Sequence, residues 1–575
     1  MKRYWKYIRP YIQYYILGPC FMMMEVVGDV LLPYMLAKII NQGIAEKNVA
    51  YIIKIGAIMG FIAVIMAVGG VLGAWFASKA AMNFGADLRM DLFEKIQQFS
   101  FQNIDNFSTG SLITRLTNDI TQIQNMIMMT LRMCLRSPGI LIGAMVMAFV
   151  ISQKLAAIFI IVLPVLAVLI VVIMRRAFPQ FRTLQEKLDA LNSCIQEGLV
   201  GIRLIKSFVR GDYEEMRFEK RNQQLKEANL TAMKTMLLYT PLMTLALNIT
   251  TVVVVWSGGN MIVAGNMQVG DLTAFTNYIV QIMSSLTMLS IAFLNWARAI
   301  ASFRRVGEVL DEKIDLTDEN AKHKDRAVCE GSVEFQNVSF RYYKNSPEWV
   351  IENISFKLEA GKTLGIIGST GSGKSTLVSM IPRLYDTDEG TVLVDGINVR
   401  DYGLKPLREG IGMVLQNNTL FSGSITENLK WGDEDADEKA VRKAAQNAQA
   451  AGFIDSFKDG YRTCLEQSGN NVSGGQKQRL CIARALLKCP KILILDDSTS
   501  AVDTATERAI REALHSEYKD MTKIIIAQRI RSVMDADEIL VLDNGKTAGF
   551  GTHEQLLADC PVYREIYDVQ NGREE

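Results

Sequence analysis

Six long apolar stretches occupy the first half of the chain, and they restrict that half to a membrane-spanning helical fold. A helix needs about 20 consecutive apolar residues to cross the hydrocarbon core of a bilayer. Since lipid offers no hydrogen-bonding partners, such segments satisfy their backbone groups internally. The stretches lie at about residues 16–41, 52–77, 137–153, 155–174, 236–264 and 272–297. We therefore predict an all-α transmembrane domain with six spans over residues 1–305.

The connections between these stretches alternate between short and long. The long connections, residues 78–130 and 175–232, are polar and helix-forming, and the second carries many Lys and Arg residues. The positive-inside rule therefore places both termini and both long connections in the cytoplasm. We expect the spanning helices to continue beyond the bilayer and to end in turns near residues 99–107 and 210–218. These turns are candidate docking surfaces, and a solvated helical hairpin is the alternative.

Glu25 and Asp29 lie four residues apart in the first span and therefore on one helix face. Ionisable side chains at that depth are costly and normally face protein or a water-filled cavity. We interpret the pair as a hydrogen-bonded structural feature. Contact with a cation or a proton on a translocation path is the alternative.

From Val333 onward, short β-branched strands alternate with helices, which is the pattern of an α/β fold. We predict a linker over residues 306–332 and an α/β nucleotide-binding domain over residues 333–575. The net charge of +1 argues against nucleic acid as a partner. Eight cysteines without a CxxC pair and three scattered histidines indicate neither a disulfide framework nor a zinc site.

Residues 368–375 read GSTGSGKS and follow an apolar strand, which is the Walker A pattern in its expected context. Backbone N–H groups of such a loop surround phosphates, Lys374 reaches the β- and γ-phosphate oxygens of ATP, and Ser375 binds Mg²⁺. The predicted phosphate-binding residues are Gly368, Ser369, Thr370, Gly371, Ser372, Gly373, Lys374, Ser375 and Thr376.

Side chains at the ends of other strands complete the predicted pocket. The apolar strand 492–495 leads to Asp496, which we expect to orient the Mg²⁺ shell. Gln416 follows the strand at 411–415 and can contact the metal or the attacking water. Tyr342 is placed to stack on adenine, with simple strand packing as the alternative.

Residues 472–476 read VSGGQ, which we interpret as a signature that contacts the γ-phosphate in the site of a second nucleotide-binding domain. A Walker A loop alone indicates some nucleoside triphosphatase. With this signature on the same chain, it indicates a site that another nucleotide-binding domain must close. The predicted ligand-binding residues of the signature are Ser473, Gly474, Gly475 and Gln476.

These motifs, with the Ser500-Ala501-Val502-Asp503 turn and the Gly551-Thr552-His553 tail, stand in the order and spacing of an ATP-binding cassette. With the six preceding spans, essentially the whole chain resembles a half-size ABC exporter of the multidrug-resistance, P-glycoprotein-like, type IV family. The resemblance implies a domain-swapped dimer with two ATP sites, each combining the Walker motifs of one subunit with the signature of the other. It also implies a nucleotide contact at Asp503 and coupling helices at the cytoplasmic turns.

Two catalytic positions depart from the family pattern. Asp497 stands where the family has glutamate, so its carboxyl begins roughly 1.5 Å further from the attacking water. Gln528 stands in the place of the switch histidine; it can donate a hydrogen bond to a γ-phosphate but cannot become cationic. We predict that Asp497, Gln528 and Gln416 belong to a degenerate site that binds ATP and hydrolyses it slowly.

A signature that is intact except for Val472 in place of the family's leucine, beside a degenerate Walker site, resembles one subunit of a bacterial heterodimeric exporter. We expect a homologous partner with Glu and His at the two altered positions. The pair would lie in the bacterial plasma (inner) membrane, with both termini and the nucleotide-binding domain in the cytoplasm. The expected function is ATP-driven export of hydrophobic or amphipathic, drug- or lipid-like substrates. A slow homodimer, a dedicated peptide or lipid exporter, and a nucleotide-gated regulatory subunit are the alternatives.

Overall fold

The chain divides into two compact units. The computed structural model describes residues 2–344, 346–498 and 502–571. The first unit comprises the residues up to Gln97 together with Gly110–Asp311, and the second comprises Gln98–Thr109 together with the residues from Glu312 onward. The first predicted turn, at residues 99–107, thus groups with the second unit.

Long helices form the first unit. The helices up to Asp311 are α1 (Trp5–Ile8), α2 (Ile12–Lys38), α3 (Val49–Gln97), α4 (Phe101–Asp105), α5 (Thr109–Thr114), α6 (Ile120–Met133), α7 (Arg136–Ile151), α8 (Gln153–Val200), α9 (Ile202–Ser207), α10 (Gly211–Leu237), α11 (Tyr239–Val263) and α12 (Val269–Asp311). Of these, α4 belongs to the second unit. Segments of π-helix join α2 to the turn before α3, and α5 to α6.

The helices of the first unit have the length and composition of membrane spans. Within the described residues, the segments long and apolar enough to cross a bilayer are Trp5–Ile44, Val49–Gln97, Thr109–Ile151, Gln153–Val200 and Gly211–Val263. They match the first five predicted stretches, although the third and fifth stretches extend one or two residues past the ends of their segments at Ile151 and Val263, and α12 contains the sixth. Large apolar side chains such as Ile160 and Trp256 are exposed on their surfaces, which is stable only in lipid or against another apolar surface. The chain is a multi-pass membrane protein.

A charged cluster lies among the spanning helices. At the start of α7, Arg136 donates hydrogen bonds to Glu25 Oε1 at 2.9 Å and to Asp29 Oδ2 at 3.3 Å. Gln281 of α12 donates to the carbonyl oxygen of Asp29 at 2.8 Å. Glu25 and Asp29 therefore have the hydrogen-bonded arrangement that we interpreted as structural, and Arg136 is the partner that sequence spacing did not reveal.

The last spanning helix is longer than the sequence pattern suggested. α12 continues to Asp311, so residues 306–311, which we assigned to the linker, are helical. Val306 and Val309 are fully buried, and Arg305 donates to Asp119 Oδ2 at 2.8 Å. Burial of Val306 and Val309 and the ion pair between Arg305 and Asp119 therefore stabilise the helix beyond the end of its apolar run.

The second unit is an α/β domain. Its strands are β1 (Val333–Phe340), β2 (Ile351–Leu358), β3 (Thr363–Gly368), β4 (Glu389–Val394), β5 (Ile397–Asn398), β6 (Ile411–Val414), β7 (Gly423–Ser424), β8 (Cys464–Leu465), β9 (Ile492–Asp496), β10 (Thr522–Ile526), β11 (Glu538–Asp543) and β12 (Lys546–Gly551). Its further helices are α13 (Lys374–Ser379), α14 (Leu404–Glu409), α15 (Ile425–Lys430), α16 (Glu438–Asn447), α17 (Ala451–Ser456), α18 (Gly474–Leu487), α19 (Thr504–Glu517), α20 (His553–Asp559) and α21 (Pro561–Asn571).

One mainly parallel sheet positions the predicted nucleotide site. Its strand order is β12-β11-β3-β10-β9-β6, and only the edge strand β12 pairs antiparallel. Central strands buried on both faces need apolar runs, which β9 provides over Ile492–Leu495 and β10 over its last three residues, Ile524–Ile526. The carboxyl ends of β3, β9 and β10 lie side by side, where ligands bind in open α/β sheets. The predicted class, an all-α domain of long apolar helices followed by an α/β domain, is confirmed.

The two predicted turns differ in their surroundings. Ser100 caps the N-terminus of α4 by accepting a hydrogen bond from the backbone of Asn103 at 3.1 Å. α4 is held within the second unit, where Tyr385 donates to Asp105 Oδ2 at 3.0 Å. The other turn occupies residues 208–210, between α9 and α10, so the predicted position near 210–218 was wrong: residues 211–218 belong to α10. Phe208 and Val209 of this turn are 70% and 88% exposed. That turn presents an apolar surface that this chain leaves uncovered.

Candidate functional site

The predicted phosphate loop connects β3 to α13. Gly371 and Gly373 adopt left-handed backbone angles, with φ of 84° and 89°. At Gly373 a Cβ would lie 2.6 Å from Ile351 Cγ2 and 2.9 Å from the Val350 carbonyl oxygen, so no other residue fits there. At Gly371 a Cβ would meet nothing within 4 Å. The loop therefore turns tightly and leaves its backbone accessible to a ligand.

Lys374 folds back over this loop. Its Nζ donates to the carbonyl oxygens of Gly368 at 2.9 Å and Ser369 at 2.7 Å. Burial lowers the pKa of Lys374, and the nearby Asp497 and Asp496 carboxylates oppose that shift. A partly buried ammonium group held at the loop is suited to bind a phosphate, because an anion would offset its lost hydration.

Ser375 and Asp496 provide oxygen atoms of the kind that Mg²⁺ prefers. Ser375 Oγ donates to Asp496 Oδ1 at 2.9 Å, and burial raises the pKa of Asp496. Within the described ranges, no group of three His, Cys, Asp or Glu side chains could hold a metal ion. Mg²⁺ usually keeps few protein ligands and takes the rest from phosphates and water. The donor set therefore fits a metal that arrives with a nucleotide.

The two departures from the expected catalytic pattern touch each other. Gln528 Nε2 donates to Asp497 Oδ2 at 2.7 Å. Asp497 follows β9 in a left-handed conformation, with φ of 47°. Burial raises the pKa of Asp497, while hydrogen bonds from Gln528 and Gln416 and the charge of Lys374 oppose the shift. The carboxylate is thus engaged by a neutral amide at the edge of the site.

One cavity of about 310 Å³ brings most of the predicted residues together. The predicted residues that line it are Tyr342, Thr370, Gly371, Gly373, Lys374, Ser375, Thr376, Gln416, Asp496, Asp497 and Gln528. Gly368, Ser369 and Ser372 belong to the loop but do not line it. Sequence reasoning missed Val350 and Ile526, which also line it. Ile526 ends β10, directly beside Asp496 in the sheet register, and its position in an apolar strand was the available signal.

Tyr342 lies at the rim of this cavity and is 37% exposed. Its hydroxyl shares a hydrogen bond with Thr376 Oγ1 at 2.8 Å. Its ring makes edge contacts with Phe340 and Tyr385, with centroids 5.1 Å and 5.3 Å apart. The ring is therefore fixed in orientation before any base stacks on it.

The signature residues lie outside this cavity. Ser473 caps α18: its Oγ accepts from the backbone N–H of Gln476 at 3.3 Å, and its own N–H donates to Gln476 Oε1 at 2.9 Å. Gly474 and Gly475 form the first residues of α18. None of these residues lines the cavity that holds Lys374. The chain thus presents its phosphate loop and its signature at separate places.

The turn before α19 is described only in part. Asp503 caps α19 by accepting a hydrogen bond from the Thr506 backbone at 3.0 Å, and this bond lowers the pKa of Asp503. Ser500 and Ala501 of the predicted turn lie outside the described residues. Asp503 does not line the cavity.

Comparison with known proteins identifies the chain. A model of the ABC transporter transmembrane region matches residues 15–286, and a model described as ABC transporter matches residues 351–500. The Bacillus subtilis uncharacterized ABC transporter ATP-binding protein YfiB is 39% identical over 574 residues, covering 100% of this chain and 99% of YfiB. This chain belongs to the ABC transporter family.

Further similarities agree on the architecture of this ABC transporter. The putative multidrug export ATP-binding/permease protein YgaD of Bacillus subtilis is 33% identical over 584 residues, covering 99% of each chain. A bacterial Atm1-family ABC exporter solved with ATP bound has the same fold, with a TM-score of 0.81 at 24% identity over 98% of each chain. The protein is an ABC transporter of half size that binds ATP and couples its hydrolysis to transport.

Proposed function

We propose that this ABC transporter chain is the degenerate-site subunit of a heterodimeric exporter. The hydrogen bond between Gln528 and Asp497 carries the proposal. The carboxylate that follows Asp496, where the attacking water would be activated, already accepts a bond from a neutral amide. A site built in this way binds ATP and turns it over slowly.

The short side chain of Asp497 limits its ability to act as a general base. Its side chain is one methylene shorter than glutamate, and one of its oxygens is taken by Gln528. Burial raises the pKa of Asp497, which by itself favours proton acceptance near neutral pH. An aligned general base contributes typically about 10²–10⁴-fold to a rate, so loss of alignment is enough to make the site nearly silent.

Gln528 also weakens the stabilisation of the negative charge that develops on the γ-phosphate during hydrolysis. A hydrogen bond from a charged donor is roughly twice as strong as one from a neutral donor. A protonated histidine can supply that charge as negative charge develops on the γ-phosphate, and an amide cannot. In the present geometry one N–H of the Gln528 amide is used on Asp497, which leaves its second N–H as the donor for a phosphate.

The remaining residues are suited to hold ATP rather than to cleave it. The loop backbone and Lys374 would bind the phosphates, and Ser375 and Asp496 would hold Mg²⁺. When bound, Mg²⁺ neutralises charge on the β- and γ-phosphate oxygens. Gln416 would orient water or metal, and Tyr342 would stack on adenine. The other loop residues, and Asp503 beyond the cavity, would support these contacts through their backbone.

The second ATP site would use this chain's signature with the Walker motifs of a homologous partner. That partner would carry Glu and His at the positions of Asp497 and Gln528. Two observations support a partner: the signature is well formed but does not line its own chain's cavity, and the apolar turn at Phe208 and Val209 is uncovered. In a domain-swapped dimer, that turn would dock on the partner's nucleotide-binding domain as a coupling helix.

The proposed substrates are hydrophobic or amphipathic and drug- or lipid-like. The similarity to YgaD, described as a putative multidrug export protein, supports this class. We place the transporter in the bacterial plasma (inner) membrane with both termini and the nucleotide-binding domain in the cytoplasm. The concentration of Lys and Arg in residues 175–232 supports that orientation.

Comparing the chain alone with the chain in complex with a homologous partner tests the proposal. In nanodiscs, drug-stimulated ATPase activity is expected from the complex, with about 100-fold less from the isolated chain because of the missing base. Equal turnover by the isolated chain would show a homodimer instead. ATP-dependent dye accumulation in inverted vesicles is expected from the complex. ATPase activity without accumulation would favour a regulatory subunit.

A gain-of-function variant tests the two assigned positions directly. Asp497→Glu with Gln528→His should create a second active site and raise turnover of the complex about twofold or more, since two sites would then hydrolyse. The matched control is Asp520→Glu with Gln446→His, the same chemical changes at exposed positions away from the cavity. An unchanged rate in the first variant would contradict the assignment.

A further inference from the structure

The nucleotide-binding unit contains a second cavity, which is larger than the ATP site and separate from it. It has a volume of about 610 Å³ and lies between α19, the N-terminal ends of β3 and β10, and the segment that follows Gln528. None of its lining residues lines the 310 Å³ nucleotide cavity. Nothing in the proposed export cycle uses it.

The cavity has an excess of positive charge. Arg508, Arg511, Lys523 and Arg531 line it, together with only two carboxylates. Both carboxylates are already engaged: Glu512 pairs with Arg508 at 3.0 Å, and Asp535 pairs with Arg511 at 3.3 Å. The Nε of Arg511 is buried and has no hydrogen-bond partner among the described residues. The positive groups therefore outnumber the negative groups that could neutralise them.

Lys523 is the side chain that most needs a ligand. It is only 5% exposed, it lines the cavity, and its ammonium group has no hydrogen bond or ion pair within the part of the chain that the structure describes. Burial lowers the pKa of Lys523, and Asp537 and Asp520 oppose that shift from a distance. Asp537 is itself held by Lys362 at 2.9 Å and by the backbone N–H of Thr363 at 2.8 Å. The Nζ of Lys523 is not among the fully buried unpartnered atoms of the described residues, so the ammonium group faces the cavity with part of its hydration lost, and a bound anion would offset that loss with a charge-assisted hydrogen bond.

The rest of the lining is mixed: Thr363, Thr504, His515 and Ser532 are polar, and four residues are apolar. Leu514, Ile525, Met534 and Ala536 contribute hydrocarbon surface beside the cationic groups. Small-molecule sites typically combine such an apolar lining with a few convergent polar groups, in cavities of roughly 300–1,000 Å³. The cavity therefore suits a ligand that has both a charged group and an apolar body.

We propose that this cavity is a regulatory site for a soluble amphipathic anion, whose carboxylate or phosphate group pairs with Lys523 and Arg511 and whose apolar or aromatic body packs on Ile525 and Met534. We infer a regulatory role because the cavity lies next to two segments that lead from the ATP site. Arg531 and Ser532 line the cavity and follow the switch residue Gln528 closely in the chain, and α19 begins directly after Asp503. A bound anion would restrain both segments next to the ATP site. The proposal does not depend on which subunit hydrolyses ATP.

Binding of 1-naphthyl phosphate to the full-length chain in nanodiscs tests the site. Saturating MgADP fills the phosphate loop, so that calorimetry detects binding at the other cavity. Saturable binding is expected, and 1-naphthol, which lacks the anion, should bind at least about tenfold more weakly because it makes no charge-assisted contact. Absence of saturable binding at millimolar probe, or equal binding of 1-naphthol, would overturn the proposal.

Variants locate the bound anion. Lys523→Met keeps an unbranched apolar side chain and should weaken binding at least about tenfold. Lys519→Met is the matched control, since Lys519 is exposed and does not line the cavity, and its binding should equal that of the wild type. If Lys523→Met fails to fold, Arg508→Gln at the exposed rim should still weaken binding about threefold or more. Wild-type affinity in the folded cavity variants would overturn the assignment.

Turnover measures the regulatory role. Saturating 1-naphthyl phosphate should change the ATPase rate of the assembled transporter about twofold or more, by restraining the segment after Gln528. The Lys523→Met transporter should not respond. Binding without any change in the wild-type rate would overturn the regulatory role.

Discussion

The phosphate loop and the edge formed by Asp497 and Gln528 face the same cavity but are built in different ways. The loop relies on backbone groups and on glycine at position 373, where a Cβ would meet Ile351 and Val350. The Asp497–Gln528 edge relies on two side chains, and these are bound to each other. Affinity for ATP and the rate of its hydrolysis therefore depend on separate groups, so a chain can keep one while losing the other.

Lys374→Ala tests the binding side of this comparison and should have the largest effect. Loss of its charge-assisted hydrogen bonds to phosphate should weaken ATP binding at this chain's site about 30-fold or more, at about 1.5–3 kcal/mol for each bond. Titration with a fluorescent ATP analogue would measure the loss. Lys458→Ala, at an exposed position outside the cavity, is the control. A loss smaller than threefold would mean that the loop backbone alone holds the phosphates.

Ser473→Ala tests whether the signature serves a different site. In the complex it should lower ATPase turnover about tenfold while leaving ATP affinity at this chain's own loop unchanged, because Ser473 does not line that cavity. Ser424→Ala is a matched control, since Ser424 caps α15 with the same reciprocal hydrogen bonds, to Glu427. Both variants should lose about 1 kcal/mol of stability from the missing cap. An equal loss of turnover in both would assign the effect of Ser473→Ala to helix capping alone.

Local patterns in the sequence predicted the elements that carry the site. The apolar runs ending at Gly368 and Asp496 became β3 and β9, and the helix after the phosphate loop begins at Lys374, because each boundary is set by neighbouring residues. Motif spacing also predicted which side chains would share the cavity around Lys374. The order of the strands in the sheet could not be predicted from local patterns. β10 pairs with both β3 and β9, and this places Gln528 beside Asp497 although 31 residues separate them.

Long-range packing accounts for what the sequence did not predict. Arg136 meets Glu25 and Asp29 across more than 100 residues, and no periodicity within one helix indicates such a partner. α12 extends to Asp311 because burial of Val306 and Val309 outweighs the end of its apolar run. The cationic cavity around Lys523 likewise required the fold, since a single lysine within an apolar strand has no local signature.

Tyr342 gives the smallest expected effect and separates stacking from hydrogen bonding at the cavity rim. Tyr342→Phe removes only the hydroxyl that meets Thr376 and should weaken ATP binding less than about threefold, because the ring and its contacts with Phe340 and Tyr385 remain. Tyr342→Leu removes the aromatic face and should weaken it about fivefold, the lower end of what base stacking contributes. Competition between ATP and tripolyphosphate would measure the contribution of the adenine base to affinity. Tripolyphosphate has no base, so it should bind both variants with the same affinity as it binds the wild type. If Tyr342→Phe weakened ATP binding as much as Tyr342→Leu, the residue would act by fixing Thr376 in the phosphate loop, and adenine recognition would have to be sought elsewhere.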